Sequence, residues 1–123
     1  MQSRDEALAK LARSRFRSRF HLDKDDRIYI KEKGLAAIEE HARQFIKLRL
    51  APAYIPNDGK QTPMRGHPVF KAQHGCACCC RGCLNKWYKV EKNVELTELQ
   101  QEKIIKLLMA WINKELKERK MEE

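Results

Sequence analysis

All five cysteines of the chain lie in one short stretch, HGCACCCRGC at 74–83. Thiolates and neutral imidazoles are the usual ligands of Zn²⁺, and a tetrahedral site needs four of them, often beginning with Cys-x-x-Cys. The stretch contains that spacing twice. The second copy, Cys80-Arg-Gly-Cys83, is favoured because Gly82 permits a sharp turn ahead of a helix over 84–88. The sequence therefore predicts Cys80 and Cys83 as zinc ligands.

The remaining two ligands must come from elsewhere in the chain. His74 and His67 lie just upstream and complete the predicted set. Cys79 is the alternative ligand, and with Cys76 it forms the competing Cys-x-x-Cys pair. A third arrangement places all four cysteines of the two pairs on one ion. It is less favoured because the chain would have to wrap around the metal within a few residues.

Clustered cysteines are also compatible with chemistries other than a metal site. Several thiols could simply be small buried hydrophobes. A reactive cysteine also fits the sequence, because Arg81 and Lys86 favour the thiolate and a nearby histidine could act as base. A thioredoxin-type centre lacks its strand–helix context, and four thiols this close together would strain an iron–sulfur cluster. Metal binding remains the favoured interpretation.

Basic residues are concentrated in two segments of this chain of net charge +9. Residues 1–22 hold six lysines and arginines against two acidic residues, and residues 59–90 hold six against none. Such asymmetry favours a polyanionic partner, DNA or RNA, bound through segments 13–19 and 60–89. The predicted phosphate contacts are Arg13, Arg15, Arg17, Arg19, Lys60, Arg65, Lys71, Arg81 and Lys86.

The length of 123 residues predicts a single domain, 1–123. No apolar run is long enough to span a bilayer, and the first residues lack the apolar core of a signal peptide. We therefore expect a cytoplasmic protein without a membrane partner. Clustered thiols in that reducing compartment are more typical of metal sites than of disulfides.

Capping residues and apolar periodicity predict a mostly α fold of about four helices. Ser3 begins the first, whose apolar residues recur every four positions to Phe20 and place Phe16 and Phe20 toward the core. Asp23 caps a second helix that ends at Gly34. A third runs over 35–50 and completes a helical region over 1–50. A C-terminal amphipathic helix covers 97–120, and Thr97 with Gln100 forms its capping box.

The middle of the chain, 51–90, is predicted to be a long ordered loop that a metal pins. All four prolines and four of the five glycines fall between residues 52 and 82. Loops of this length inside a compact domain are usually functional or disordered, and the apolar residues here argue against disorder. HPVF at 67–70 is a candidate for a short strand or hairpin.

Several motifs together resemble a small bacterial and phage family known as a domain of unknown function. They are GKQTP at 59–63, GHPVF at 66–70, AQH at 72–74, CCRGC at 79–83, KW at 86–87 and AWI at 110–112. The resemblance extends from RSRFRSRF at 13–20 to AWI. It emphasises the two upstream histidines and the three cysteines of CCRGC, whereas Cys76 is less typical. The family pattern has a histidine after the tryptophan, where this chain has Tyr88, so a ligand or base there is missing.

These observations predict a small zinc-binding protein that associates with nucleic acid. The alternative is a small metal- or cysteine-dependent enzyme, for example nuclease-like, acting on an anionic substrate through His67, His74 and a cysteine or metal-bound water. No acidic residue lies in 59–90, so a carboxylate base would have to come from Asp58 or Asp23. A protein-interaction regulator carried by mobile DNA is a second alternative, which rests on the resemblance alone.

Overall fold

The computed structural model describes residues 3–118, which are mostly helical and contain no β-strand. The helices are α1 (Arg4–Ala12), α2 (Lys24–Lys33), α3 (Leu35–Phe45), α4 (Pro68–Gly75), α5 (Arg81–Tyr88) and α6 (Glu98–Glu118). A 3₁₀ turn (Arg17–Arg19) follows α1, and a π-helical segment (Ile46–Leu50) continues α3. The prediction of a mostly α fold is confirmed. Within residues 3–118, no helix combines the length and apolar character needed to cross a membrane.

Three helices begin at the predicted capping residues. The Ser3 hydroxyl accepts the backbone N–H of Glu6, and Asp23 forms a complete capping box with its partner three residues on. Thr97 and Gln100 form the same kind of capping box ahead of α6. The N–H of Thr97 donates to Oε1 of Gln100 at 2.9 Å, and the N–H of Gln100 donates to Oγ1 of Thr97 at 3.0 Å. Gly34, with φ of +86°, separates α2 from α3, a conformation that favours glycine. The predicted C-terminal helix is observed as far as Glu118, and residues 119–120 lie outside the described residues.

Helix α6 forms the centre of the core. Its apolar face, with Ile104, Ile105, Leu108 and Ile112 all at most 2% exposed, packs against α1, α3 and α4. The contact with α4 is close, because a Cβ added at Gly75 would lie 2.8 Å from the indole nitrogen of Trp111. Since α4 leads directly into the cysteine stretch, this close packing fixes the stretch relative to the core.

The first helix is shorter than predicted. It ends at Ala12 rather than continuing to Phe20, because the hydroxyl of Ser14 accepts the N–H of Arg17 and starts the separate 3₁₀ turn. Serine competes for backbone hydrogen bonds in this way and so favours helix ends. The break turns Arg17 into the interior, at 8% exposure, and leaves Phe16 46% exposed. The expectation that Phe16 faces the core is therefore wrong.

The predicted short strand at 67–70 is also wrong, because these residues begin α4. His67 is the N-cap, and its Nδ1 accepts the backbone N–H of Val69 at 3.0 Å. Pro68 occupies the first turn, where a missing N–H costs no hydrogen bond. An eight-residue helix shows only two turns of periodicity, which is too few to stand out among prolines. Together, α4 and α5 leave residues 51–67, 76–80 and 89–90 as the irregular parts of the middle region 51–90.

An ionic contact joins α2 to α4. The ammonium of Lys71 lies 2.9 Å from a carboxylate oxygen of Asp23 and 2.6 Å from one of Asp26. The pKa of Asp23 is lowered to about 2, first by the backbone N–H of Asp26 and then by Lys71. Because the ionised form is favoured in the folded protein, its stabilising contribution is present above about pH 4 and is lost as the pH falls toward about 2.

We expect Asp23→Asn to be less stable than wild type at pH 6 and equally stable near pH 2. Asparagine can still cap the helix, so the variant removes only the charge. The measurement is urea unfolding followed by circular dichroism at several pH values, with Asp25→Asn on the same turn as control. A stability difference that stays constant from pH 6 to pH 2 would contradict the assignment.

Candidate metal centre

Three sulfur atoms meet at the start of α5. The Sγ atoms of Cys79, Cys80 and Cys83 all lie within 4.8 Å of one another, and those of Cys79 and Cys83 are 3.6 Å apart. Sulfur ligands of a tetrahedral zinc ion, each at ~2.3 Å, lie ~3.8 Å from one another. This three-thiol cluster could therefore hold a metal ion.

The N-terminus of α5 positions two of these thiols. Cys80 is the N-cap, and its Sγ accepts the backbone N–H of Cys83 at 3.3 Å. Both oxygens of Asp58 accept backbone N–H groups of the same turn, from Arg81 and Gly82, each at 2.9 Å. Asp58 therefore caps α5 through two backbone N–H groups.

The loop 51–67 is held against the cysteines by hydrogen bonds. The Thr62 hydroxyl donates to the carbonyl of Cys79 at 2.8 Å, and Asp58 caps α5 as described. From the other side, the buried amide of Gln73 donates to the carbonyl of Cys78 at 3.1 Å. These hydrogen bonds join the loop, and Gln73 of α4, to the cysteine stretch.

Arg17 reaches the three-thiol cluster from the 3₁₀ turn. One guanidinium nitrogen donates to the carbonyl of His74 at 2.8 Å and lies 3.5 Å from the sulfur of Cys79. The other lies 3.0 Å from the sulfur of Cys83. A buried cation in contact with two sulfurs stabilises negative charge on them. Arg17 thus belongs to the site.

The thiols of the cluster differ in acidity. The pKa of Cys79 is lowered to about 7, first by its hydrogen bond with Cys83 and then, against the effect of burial, by Arg17. The pKa of Cys83 is raised, because it keeps the proton that the two sulfurs share, and burial adds to this effect. Burial raises the pKa of Cys80. The hydrogen bond between the two sulfurs and the nearby Arg17 therefore favour a thiolate in the pair formed by Cys79 and Cys83.

Cys76 and Cys78 have a different environment. Both are fully buried in the hydrophobic core, and burial raises the pKa of each thiol. The carbonyl of Cys76 accepts the hydroxyl of Tyr88. These two cysteines are outside the three-thiol cluster and serve as core residues.

His74 is buried, and it is not part of the three-thiol cluster. Nε2 lies 3.0 Å from the carbonyl oxygen of Thr62 and 3.2 Å from that of Pro63, so it carries the proton and donates it. The ring stacks on Phe20, with centroids 5.2 Å apart. Only Nδ1 of His74 keeps a lone pair that a metal could use.

His67 lies in a separate cluster of aromatic rings. Because its Nδ1 accepts the N–H of Val69, its proton sits on Nε2, which is 3.1 Å from Nδ1 of His41. The ring also contacts Tyr29 and Phe45. Its pKa is lowered to about 4, chiefly by burial and also by His41. Both nitrogens are thus in use, and the structure does not bring His67 into the group with the thiols.

The nine predicted phosphate contacts divide into two sets. Arg17, Lys71 and Arg81 make internal contacts. Arg81 is 3% exposed and donates to backbone carbonyls on both sides of α5, including those of Pro52 at 2.8 Å and Glu91 at 2.9 Å. The six that are exposed are Arg13, Arg15, Arg19, Lys60, Arg65 and Lys86. Spacing alone does not distinguish the two sets.

Comparison with protein families finds a match over residues 5–113, to a family described as "Domain of unknown function (DUF4186)". The match covers most of the chain, including the 3₁₀ turn, the cysteine stretch and most of α6. No solved structure matches the chain.

Replacing Arg81 by glutamine should destabilise the fold by about 3 kcal/mol or more, because several buried carbonyls lose their donor at once. Lys86→Gln, on the exposed face of the same helix, is the matched control and should change stability by less than about 0.5 kcal/mol. The measurement is denaturant unfolding at pH 7. Similar midpoints for the two variants would contradict the internal role of Arg81.

Proposed function

We propose that this chain, which belongs to the family of unknown function DUF4186, is a zinc-binding protein that associates with nucleic acid through a basic surface beside its metal centre. The observation that carries this proposal is the 3.0 Å contact between Arg17 and Cys83. It joins the two basic segments of the sequence at the three-thiol cluster.

Zinc is the ion that best suits the three-thiol cluster. Thiolates select soft or borderline metals, and three ligands on one short turn fit a small tetrahedral ion. Three thiolates on a dication leave one negative charge, which the adjacent Arg17 balances. No fourth His, Cys, Asp or Glu joins the group within the described residues. Water or an external ligand would therefore complete the coordination.

Protein purified without added metal should contain one zinc ion per chain. Cys79→Ser and Cys83→Ser should abolish binding, whereas Cys78→Ala, a buried cysteine outside the cluster, should retain it. Arg17→Gln should weaken zinc affinity by about 10- to 100-fold, as is typical when a group supporting the ligands is removed. Elemental analysis gives the stoichiometry, and competition with a chromophoric chelator gives the affinity.

Two outcomes would contradict the zinc assignment. One is metal-free protein that takes up no zinc when it is supplied at neutral pH under reducing conditions. The other is equal loss of zinc in Cys78→Ala and Cys83→Ser, since that would mean that folding rather than ligation is affected.

The proposed nucleic-acid surface surrounds the metal centre. The end of α1 lies against α5, with the ammonium of Lys10 placed 5.9 Å from the ring centre of Trp87. Arg13 and Arg15 follow this end of α1 directly, Lys86 precedes Trp87 in α5, and all three are exposed. Exposed cations grouped in this way suit the closely spaced phosphates of a polynucleotide.

We expect affinity for DNA or RNA to fall steeply with salt. Arg13→Gln should weaken binding and reduce the slope of log K against log salt by about 0.7 to 0.9, the value for one phosphate contact. Lys103→Gln, an exposed cation on α6, is the control and should leave the slope unchanged. Fluorescence anisotropy from 25 to 200 mM salt measures both. The surface would be wrong if the two variants changed the slope equally.

A metal-dependent enzyme acting on an anionic substrate is a second candidate function. The observation that favours it is a cluster of only three thiols, which leaves a coordination position for water or substrate. Against it, the carboxylate of Asp58 is fully engaged by backbone N–H groups of α5, so it is not available as a general base. Zinc-dependent cleavage of an oligonucleotide that is lost in Cys83→Ser would favour this candidate.

A further inference from the structure

Phe16 is an exposed aromatic ring within the arginine-rich segment 13–19. The ring is 46% exposed, and its neighbours along the chain include the exposed Arg13, Arg15 and Arg19. The hydrophobic effect favours burial of a phenylalanine, and a longer α1 would have placed this ring toward the core. An exposed ring among cations is a common element of surfaces that bind unpaired bases.

The ring of Phe16 is held in place from two sides. Its partner Phe20 packs edge-to-face against it, with centroids 5.3 Å apart and planes at 80°. The guanidinium carbon of Arg17 lies 4.9 Å from the ring centre. Arg17 is itself fixed by His74 and the two sulfurs. A ring that is already ordered loses little conformational entropy when a ligand stacks on it.

Two other aromatic residues of the basic segments, Trp87 and Tyr88, are less suitable for stacking. Trp87 is half-buried, and the ammonium of Lys10 lies near its ring. Tyr88 is buried and donates to a backbone carbonyl. Phe16 is therefore the aromatic side chain of this surface that a base can reach.

We propose that the polynucleotide is single-stranded and that one of its bases stacks on Phe16, while Arg13, Arg15 and Arg19 contact the flanking phosphates. This inference rests on the proposed nucleic-acid association. A duplex keeps its bases stacked on one another and offers phosphates at its surface, so it would gain nothing from the ring. Every base has a face that can stack, so sequence preference should be weak.

The test compares three labelled 12-mers of the same sequence: single-stranded DNA, single-stranded RNA and the DNA duplex. Fluorescence anisotropy with the full zinc-loaded chain at 50 mM salt gives each dissociation constant. Wild type should bind one or both single strands more tightly than the duplex, and the two single-stranded probes distinguish DNA from RNA. Phe16→Ala should weaken single-strand binding by about 5- to 100-fold, the loss typical of one stacked base, and duplex binding by less than twofold.

Companion variants separate stacking from other effects. Phe16→Leu keeps an apolar side chain and should lose nearly as much affinity as alanine, whereas Phe16→Trp should retain it. Tyr54→Ala removes another exposed ring, 77% exposed and outside the arginine segment, and should have no effect. The slope of affinity against salt should be unchanged in Phe16→Ala, because no phosphate contact is lost.

Three results would overturn the inference. They are unchanged single-strand binding in Phe16→Ala, equal losses on single strand and duplex, and tighter binding of the duplex by wild type. A different result identifies failure of the proposed function itself: no binding of any probe by wild type at low salt. In that case the single-strand inference fails with it.

Discussion

The contact of Arg17 with the sulfurs of Cys79 and Cys83 is the interaction on which the rest of this site depends. A guanidinium that is 8% exposed has lost most of its hydration, which is costly unless hydrogen-bond acceptors or negative charge replace the water. A carbonyl oxygen provides one such partner and the thiols provide the other. In turn, the cation favours the thiolate that a metal requires. The N-terminal segment is thereby attached to α4 and α5 through the chemistry of the site.

Much of the fold could be predicted from the sequence, because its signals are local. Ser3, Asp23 and Thr97 cap helices through contacts that span three residues, and the apolar period of α6 repeats over several turns. The end of α1 could not be predicted in this way. The pattern of phenylalanines every four residues continues to Phe20, but one hydrogen bond from Arg17 to Ser14 interrupts the helix. Periodicity does not reveal which of two local hydrogen-bonding options is the more stable.

The sequence indicated which residue types form the candidate site, but it did not indicate what each residue does there. Three of the cysteines named from spacing meet in space, because the helix cap at Cys80 brings them together. The two predicted histidine ligands show which information the spacing of residues does not contain. Whether an imidazole can bind a metal depends on which nitrogen holds the proton, and for His74 that is set by a partner distant in sequence, the carbonyl of Thr62. The same holds for Arg81, which the sequence presents as one more cation of a basic segment and which the fold surrounds with carbonyls.

The three-thiol cluster and the arginine-rich segment 13–19 are therefore joined directly through Arg17. One face of Arg17 contacts the Phe16 ring, while its nitrogens contact the sulfurs and the carbonyl that precedes the cysteine turn. Any change in the charge of the thiols acts on this guanidinium at about 3 Å, a distance at which the Coulomb energy in a partly buried site is several kcal/mol. A ligand that moved the ring would act on the same guanidinium from the other side. Because coupling between two binding equilibria is reciprocal, the occupancy of either site would then influence the affinity of the other.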